Sequence, residues 1–374
     1  MTQFTVPSPD AIEVLRSLRE DNNVLVYGPP AAGKSRLLAE VRHWFGNPPA
    51  AGAIFAPAGP HAFPVGAHLP DVQEWLPSPD RTQRKVWSTT FHQGTKYRDF
   101  VCGMAPGVGA GAPQFVTTRG PFLEAADYAL LENSTGLVTI DEINRGPAVA
   151  IFGDLLTAIE HDKRLAADGA VTHSSVAIRV LNADGTQKDM YLSKHLYVVA
   201  AMNEADTSVE PLDVAFKRRF YLYPLLPDEA KTRSFLGLPE AGAEPPAEPG
   251  TVQDVYEAAV RAWGRVNRFI ALARGAEFQL GHGVFMGFGS AAPTVPEALA
   301  HASRIWHAIV QHAREVFFGD VRGLATVLAA GDAGSPYGLE EELFADAPVA
   351  RLTGASSLLA TDKVYAALRA VANA

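Results

Sequence analysis

The chain has 374 residues, 47% of them apolar, and a formal charge of −9, which fits one large or two medium folded domains and excludes a disordered chain. The acidic balance lacks the basic excess of a free-standing duplex-DNA binder, so any contact with nucleic acid is expected to be local or supplied by a partner, and the single cysteine, Cys102, excludes a disulfide framework or a cysteine-built zinc site. Met1 to Asp10 lacks the basic and apolar runs of a secretory signal, and no stretch of about 18 apolar residues exists, so a cytoplasmic protein without a membrane span is expected.

In chain order, Pro9 to Glu20 reads as a helix capped by Ser8, with Ile12, Leu15 and Leu18 on one face. Val24 to Tyr27 reads as a buried strand that runs into a Gly/Pro-rich turn and a helix from Lys34. Residues 48–79 are rich in Pro, Ala and Gly and are expected to form an irregular insertion. Val86 to Phe91 is the next expected strand. Gly103 to Gly120 is expected to be a mobile loop, Phe122 to Glu132 a helix, and Leu137 to Ile140 a second buried strand.

Val149 to Ile159 reads as one helix. Ala177 to Leu192 reads as a hairpin around Asn182 to Gly185, within an insertion over residues 165–195. Leu196 to Ala201 is a third buried strand and Phe220 to Leu225 a fourth. Residues 230–250 have the composition of a linker. Beyond it, Val252 to Arg274, a helix opened by the Thr294/Glu297 capping box, and Thr361 to Val371 form a helical domain. The expected layout is an α/β domain over residues 1–229 and a helical domain over 251–374.

Gly28-Pro29-Pro30-Ala31-Ala32-Gly33-Lys34-Ser35 fits G-x-x-x-x-G-K-[ST], between a strand and a helix. Backbone N–H groups must curl around a β-phosphate, and glycine permits that curl. The helix that follows turns its N-terminus to the anion. Lys34 is then placed for the β- and γ-phosphates and Ser35 for Mg²⁺, with Arg36 beside them. Leu137 to Ile140 ends in Asp141 and Glu142, a strand-end carboxylate pair in which Asp141 would hold the Mg²⁺ shell and Glu142 would polarise the attacking water. The strand ending at Met202-Asn203 supplies an amide for the same water. Lys217-Arg218-Arg219 reads either as a solvated basic turn or as arginine fingers delivered to a neighbouring subunit.

Together with Phe91-His92-Gln93, Tyr97-x-Asp99-Phe100, Asp141-Glu-Ile-Asn-Arg145, Met202-Asn-x-Ala-Asp206-x-Ser208 and Phe278-Gln-Leu-Gly281-His282, these motifs resemble McrB, the AAA+ GTPase of the McrBC modification-dependent restriction system. The resemblance runs from the phosphate loop to about Gly319, and its individual motifs are shared with MoxR-like relatives. It implies an AAA+ fold, a central parallel sheet flanked by helices and followed by a small helical lid, with the phosphate loop on a central strand. It also implies ATP or GTP as substrate with Mg²⁺, a homo-oligomeric ring (a hexamer), a McrC-like nuclease partner, Arg145 and Asp213 in the network beside Asn203, and fingers at Arg218 and Arg219.

The departures carry expectations of their own. McrB has a domain that reads modified DNA ahead of its phosphate loop, whereas here that loop begins at Gly28, so recognition is expected on a separate subunit. Lys217 and Gln279 stand where arginines are expected. A MoxR-like chaperone that remodels or metallates a client is the alternative, and a nucleotide-gated scaffold is a third reading, disfavoured by Glu142 and Asn203. His282 reads as a helix-end packing residue or a lid contact to nucleotide, and Cys102 as an inert thiol.

Overall fold

A computed structural model describes residues 4–50, 70–107, 114–182, 184–205, 212–240, 242–354 and 359–374. The chain divides into two compact units, one of Met1–Gly28 with Lys34–Leu225, the other of Pro29–Gly33 with Leu226–Ala374.

The first unit opens with α1 (Pro9–Asp21). Ser8 caps it by accepting from the Ala11 amide, and Asn22 ends it in the left-handed region. β1 (Asn23–Gly28) and α2 (Lys34–Gly46) flank the phosphate loop. α3 (Val72–Trp75), β2 (Gln83–Thr90) and α4 (Tyr97–Phe100) follow. Most of the segment expected to be irregular, residues 51–69, lies outside the described residues. β3 (Cys102–Gly107) and β4 (Gln114–Arg119) come next, then α5 (Pro121–Ala129) and β5 (Ser134–Asp141). The unit is completed by α6 (Ala148–Phe152), α7 (Leu155–Ala158), β6 (Ile178–Leu181), β7 (Gln187–Met190), β8 (Leu196–Asn203), α8 (Val214–Lys217) and β9 (Tyr221–Pro224).

Five strands pair in parallel in the order β2-β5-β8-β1-β9. The inner strands β5 and β8 are buried from end to end save for their last residues, because helices cover both faces. That is why Leu137 to Ile140 and Leu196 to Ala201 are almost wholly apolar, with Thr139 buried among them. Aromatic rings of Phe91, Phe100, Phe152, Phe216 and Phe220 pack edge to face, tilted or stacked in the same core.

Three expectations need correction. Residues 103–120 hold an antiparallel hairpin, with Cys102 opposite Arg119 and Met104 opposite Thr117; residues 108–113 between its strands are outside the described set. The glycines there serve close packing rather than looseness: a Cβ on Gly120 would fall 2.2 Å from the Phe100 carbonyl carbon. Val149 to Ile159 is two short helices, broken where Gly153 takes φ +51°. β1 is interior but not central, since only β9 separates it from the sheet edge.

The second unit carries α9 (Glu229–Leu236), α10 (Val252–Ala273), α11 (Gly283–Met286), α12 (Val295–Val316), α13 (Val321–Val327) and α14 (Thr361–Asn373). Thr251 and Thr294 cap the two long helices through the amides of Asp254 and Glu297. α10, α12 and α14 meet on Trp263, Trp306, Ile309 and Leu368, all buried. A second hairpin, β10 (Gly338–Phe344) and β11 (Ala347–Thr353), turns at Ala345 and Asp346, both at positive φ. The sequence reading did not anticipate it.

Candidate functional site

Parallel pairing fixes which side chains meet. Gly28 is opposite Asn203, Thr90 opposite Asp141, and Ile140 opposite Ala200, so the C-terminal ends of β1, β5 and β8 lie along one edge of the sheet. Lys34, Ser35, Asp141, Glu142 and Asn203 all follow or end those strands. This is the edge where ligands bind in open parallel sheets.

Gly28 has φ +153°, and a Cβ there would sit 2.2 Å from the Leu225 carbonyl oxygen, so only glycine fits. Gly33 is also left-handed at φ +97°, and Ala31 adopts φ +59° despite its side chain. Lys34 opens α2, and its Nζ donates to the Gly28 carbonyl at 2.8 Å. Burial pulls the Lys34 pKa down to about 8, against the opposing pull of Glu142, Asp141 and Glu204. Those influences put the ammonium within the field of three carboxylates.

Glu142 follows β5 in a left-handed conformation, φ +52° and ψ +47°, and its main-chain N–H donates to Asp141 Oδ1 at 3.1 Å. A carboxylate-bearing residue held at positive φ is a feature of constrained functional loops. Glu142 Oε2 is 3.2 Å from Arg145 Nε, an ion pair without hydrogen-bond geometry. Asn144 is buried and donates its side-chain amide to the Asn203 carbonyl at 2.9 Å. Glu142 Oε2, Asn144 Oδ1 and Asn203 Oδ1 are buried oxygens without a hydrogen bond among the described residues. Polar atoms left so cost about 1–3 kcal/mol each and ask for a ligand or water.

The donor set suits a hard cation. Asp141 and Glu142 offer carboxylate oxygen, Ser35 a hydroxyl, and Asn203 an amide oxygen. Among the described residues no cluster of three or more His, Cys, Asp or Glu side chains forms a complete protein cage. Mg²⁺ binds through one or two carboxylates with phosphates completing its shell, and Asp141 with Ser35 would supply the protein's share.

Other residues singled out in the sequence fall elsewhere. Arg36 pairs with Glu40 one turn along α2, Nη1 to Oε2 at 3.1 Å. Asp213 caps α8, accepting from the Phe216 amide. Arg218 and Arg219 precede β9, whose Tyr221 lies opposite Val24 at the start of β1. They therefore lie at the opposite edge of the sheet from Asn203. Six residues of β1 separate the two edges, roughly 17–20 Å at strand rise. Arg219 is held inside the unit: its Nε donates to the Leu156 carbonyl at 2.6 Å and pairs with Glu160 at 3.0 Å. Arg218 is exposed and lines a cavity of about 500 Å³ with Glu160, His161, Arg219 and Tyr221. Asp206 and Ser208 lie outside the described residues. Within the second unit, His282 is buried, with Nδ1 accepting from the Asp228 amide at 3.2 Å, a packing role. Cys102 is buried in β3.

Sequence reading did not single out Asn144 within the Asp141 to Arg145 motif, although the structure brings it to the candidate site. Its role is a contact with a different strand 59 positions away, which local pattern does not encode.

Residues 79–220 match the AAA domain of the dynein-related subfamily. The BsuMI type II restriction component YdiS of Bacillus subtilis is 32% identical over 213 residues, covering 55% of this chain and 57% of that protein. The methyl-directed type IV restriction subunit EcoKMcrB of Escherichia coli is 24% identical over 292 residues, covering 76% of this chain and 52% of that protein. The chain thus spans little more than half the length of these curated relatives. Among solved structures, NtrX from Brucella abortus superposes with a TM-score of 0.35 at 12% identity, over 88% of this chain and 66% of that one, too loosely to add to the strand order. A phosphate loop, a strand-end carboxylate pair and an adjacent strand-end asparagine thus lie along one sheet edge, in a chain whose residues 79–220 match a dynein-related AAA domain and which is similar to two restriction components.

Proposed function

We propose that this chain hydrolyses ATP or GTP with Mg²⁺ as the motor subunit of a homo-oligomeric ring in a McrBC-like restriction complex. The observation that carries the chemistry is the convergence of Lys34, Asp141, Glu142 and Asn203 at adjacent strand ends, with buried oxygens of Glu142 and Asn203 that make no hydrogen bond among the described residues.

Each residue has a role set by its chemistry. The Lys34 ammonium draws the β- and γ-phosphate oxygens, and Ser35 and Asp141 face the metal shell. Bound Mg²⁺ would offset the charge of the phosphates. Glu142 accepts a proton from the attacking water, while the Asn203 amide fixes that water's orientation. Arg145, paired with Glu142, holds the carboxylate in register. Arg36 and Asp213 are already engaged in Glu40 and the α8 cap, which favours supporting roles.

Arg218 favours an assembly. Its place at the far edge of the sheet keeps it from its own phosphate loop, so as a finger it serves a second copy. A closed ring is the form that head-to-tail contacts give when they close, and six copies is the number that the McrB resemblance implies. Both curated relatives are restriction components, which favours that setting over the MoxR-like chaperone. A McrC-like nuclease and a separate recognition subunit complete the complex in this reading. The acidic net charge fits recognition by another chain. No described helix is long and apolar enough to cross a membrane, and the cytoplasm is the compartment this reading assigns.

The test is phosphate release from Mg·ATP and Mg·GTP by wild type and Glu142→Gln, with affinity capture of the native complex. Turnover lost in the variant and a co-captured nuclease support the proposal. Equal turnover would remove the motor reading, and capture without any nuclease or DNA-recognition subunit would remove the restriction setting.

A further inference from the structure

The middle of the phosphate loop, Pro29–Gly33, belongs by its contacts to the helical unit. Two main-chain hydrogen bonds account for this: the Gly281 amide donates to the Pro30 carbonyl and the Gly283 amide to the Ala31 carbonyl, each at 2.8 Å. The approach is so close that a Cβ on Gly281 would lie 2.2 Å from the Ala31 carbonyl carbon and from the Ala32 nitrogen. On Gly283 it would lie 2.6 Å from the Ala31 oxygen. These are backbone atoms, which cannot swing aside.

The gripping segment is itself fixed. Leu280 exchanges two hydrogen bonds with the Asn267 side chain, each at 2.8 Å, and its carbonyl also accepts from Trp263 Nε1 at 2.9 Å. His282, between the glycines, is 2% exposed and tied to the Asp228 amide. A rigid strap anchored on α10 therefore meets the loop.

Peptide geometry gives this contact a consequence. In a planar trans peptide the C=O and N–H point in opposite directions. Fixing the Pro30 and Ala31 carbonyls on the strap turns the Ala31 and Ala32 amides to the other side. Amides so aligned are what an anion-binding nest requires. Ala31 meanwhile holds φ +59°, a conformation that a residue with a Cβ keeps only when its surroundings impose it.

We propose that Gly281 and Gly283 are positioning residues that template the phosphate loop, presetting its amides for a triphosphate before nucleotide arrives. The inference rests on the nucleotide-binding reading above. A preset loop favours bound substrate and transition state alike, so its loss appears in KM and not in kcat.

The experiment uses the full chain with Gly281→Ala, Gly283→Ala and, as control, Gly287→Ala, whose added Cβ meets nothing within 4 Å and whose φ is −64°. Mg·ATP and Mg·GTP are titrated calorimetrically and turnover is measured. The expected result is a Kd and KM raised about tenfold or more in the first two variants, with kcat within about twofold and the control unchanged. A wild-type Kd in both strap variants, or a fall in kcat at constant KM, would overturn the proposal. Should a variant fail to fold, hydrogen exchange of the wild-type protein decides: the Gly281 and Gly283 amides are expected to be protected without nucleotide, and exchange at unprotected rates overturns it. Wild type that takes up neither nucleotide would instead sink the NTPase reading.

Discussion

Asn144 donates its side-chain amide to the main-chain carbonyl of Asn203 at 2.9 Å, joining the turn after β5 to the tip of β8. The bond ties the loop that carries Glu142 to the strand that ends in Asn203. If the two must act on one water, their spacing is set by this contact. Asn144→Ala and Asn144→Asp are expected to lower kcat about 10–100-fold with KM nearly unchanged, because the lost interaction is spent on geometry at the reacting centre. Steady-state kinetics checks this, and a change confined to KM would contradict it.

Lys34 gives a pH signature. Its pKa in the free protein is about 8, lowered first by burial, and bound phosphate stabilises its charged form. Nucleotide affinity is therefore full below pH 8 and declines as pH rises beyond it. The folding term has the opposite sense: the unfolded lysine, at 10.5, holds its proton longer, so this group's contribution to stability rises between about pH 8 and 10.5. Calorimetric Kd values across pH 7 to 9.5 should climb for wild type and flatten in Lys34→Arg, whose charge persists. A flat wild-type profile would count against the assignment.

The two arginines before β9 should separate. Arg219 is bonded to Leu156 and Glu160 within its own unit, whereas Arg218 is exposed. Arg218→Ala is expected to remove about 10³-fold or more of turnover without lowering the melting temperature. Arg219→Ala is expected to destabilise the fold. Mixing Arg218→Ala with Lys34→Met subunits should restore part of the activity, since one supplies the site and the other the finger. No recovery from the mixture would argue against a finger in trans.

Arg164 is 1% exposed and satisfied by main-chain oxygens and one amide: its Nε donates to Ile159 O at 3.0 Å and Nη2 to Asn23 Oδ1 at 2.8 Å, and Nη1 bonds Ser193 and Leu196 carbonyls. Asn23 in turn donates to the Arg219 carbonyl at 3.0 Å. The network binds the starts of β1 and β8 to the turn that presents Arg218. Arg164→Met leaves several buried acceptors unpaired and is expected to cost about 3–5 kcal/mol. Denaturant unfolding measures this, and a loss below about 1 kcal/mol would show that the network contributes little.

The candidate site was legible where its chemistry is local. Gly28 to Ser35 announces itself because one loop must provide glycine, lysine and hydroxyl in sequence, and Asp141-Glu142 because an apolar strand ends abruptly in acid. The parallel order could be argued from strands alternating with helices. What escaped is non-local. Asn144 acts across 59 positions, and Gly281 and Gly283 meet a loop some 250 positions earlier in the chain. The β3–β4 hairpin was misread because Gly103 and Gly120 look like flexibility markers in sequence. In the fold they admit the backbone and side chain of α4, and Phe115 to Thr118 supply the strand character. Gly153 was passed over inside a helical pattern, where its positive φ ends one helix and starts another.

The central claim is that Lys34, Asp141, Glu142 and Asn203 enclose one Mg²⁺-bound triphosphate whose water is activated by Glu142. The most direct measurement is single-turnover cleavage of Mg·ATP and Mg·GTP by wild type and Glu142→Gln at saturating protein, with nucleotide binding measured alongside. The account requires that Glu142→Gln bind nucleotide as tightly as wild type while cleaving it at least about 100-fold more slowly. Cleavage at the wild-type rate, or failure of the wild-type chain to bind either nucleotide with Mg²⁺, would contradict it.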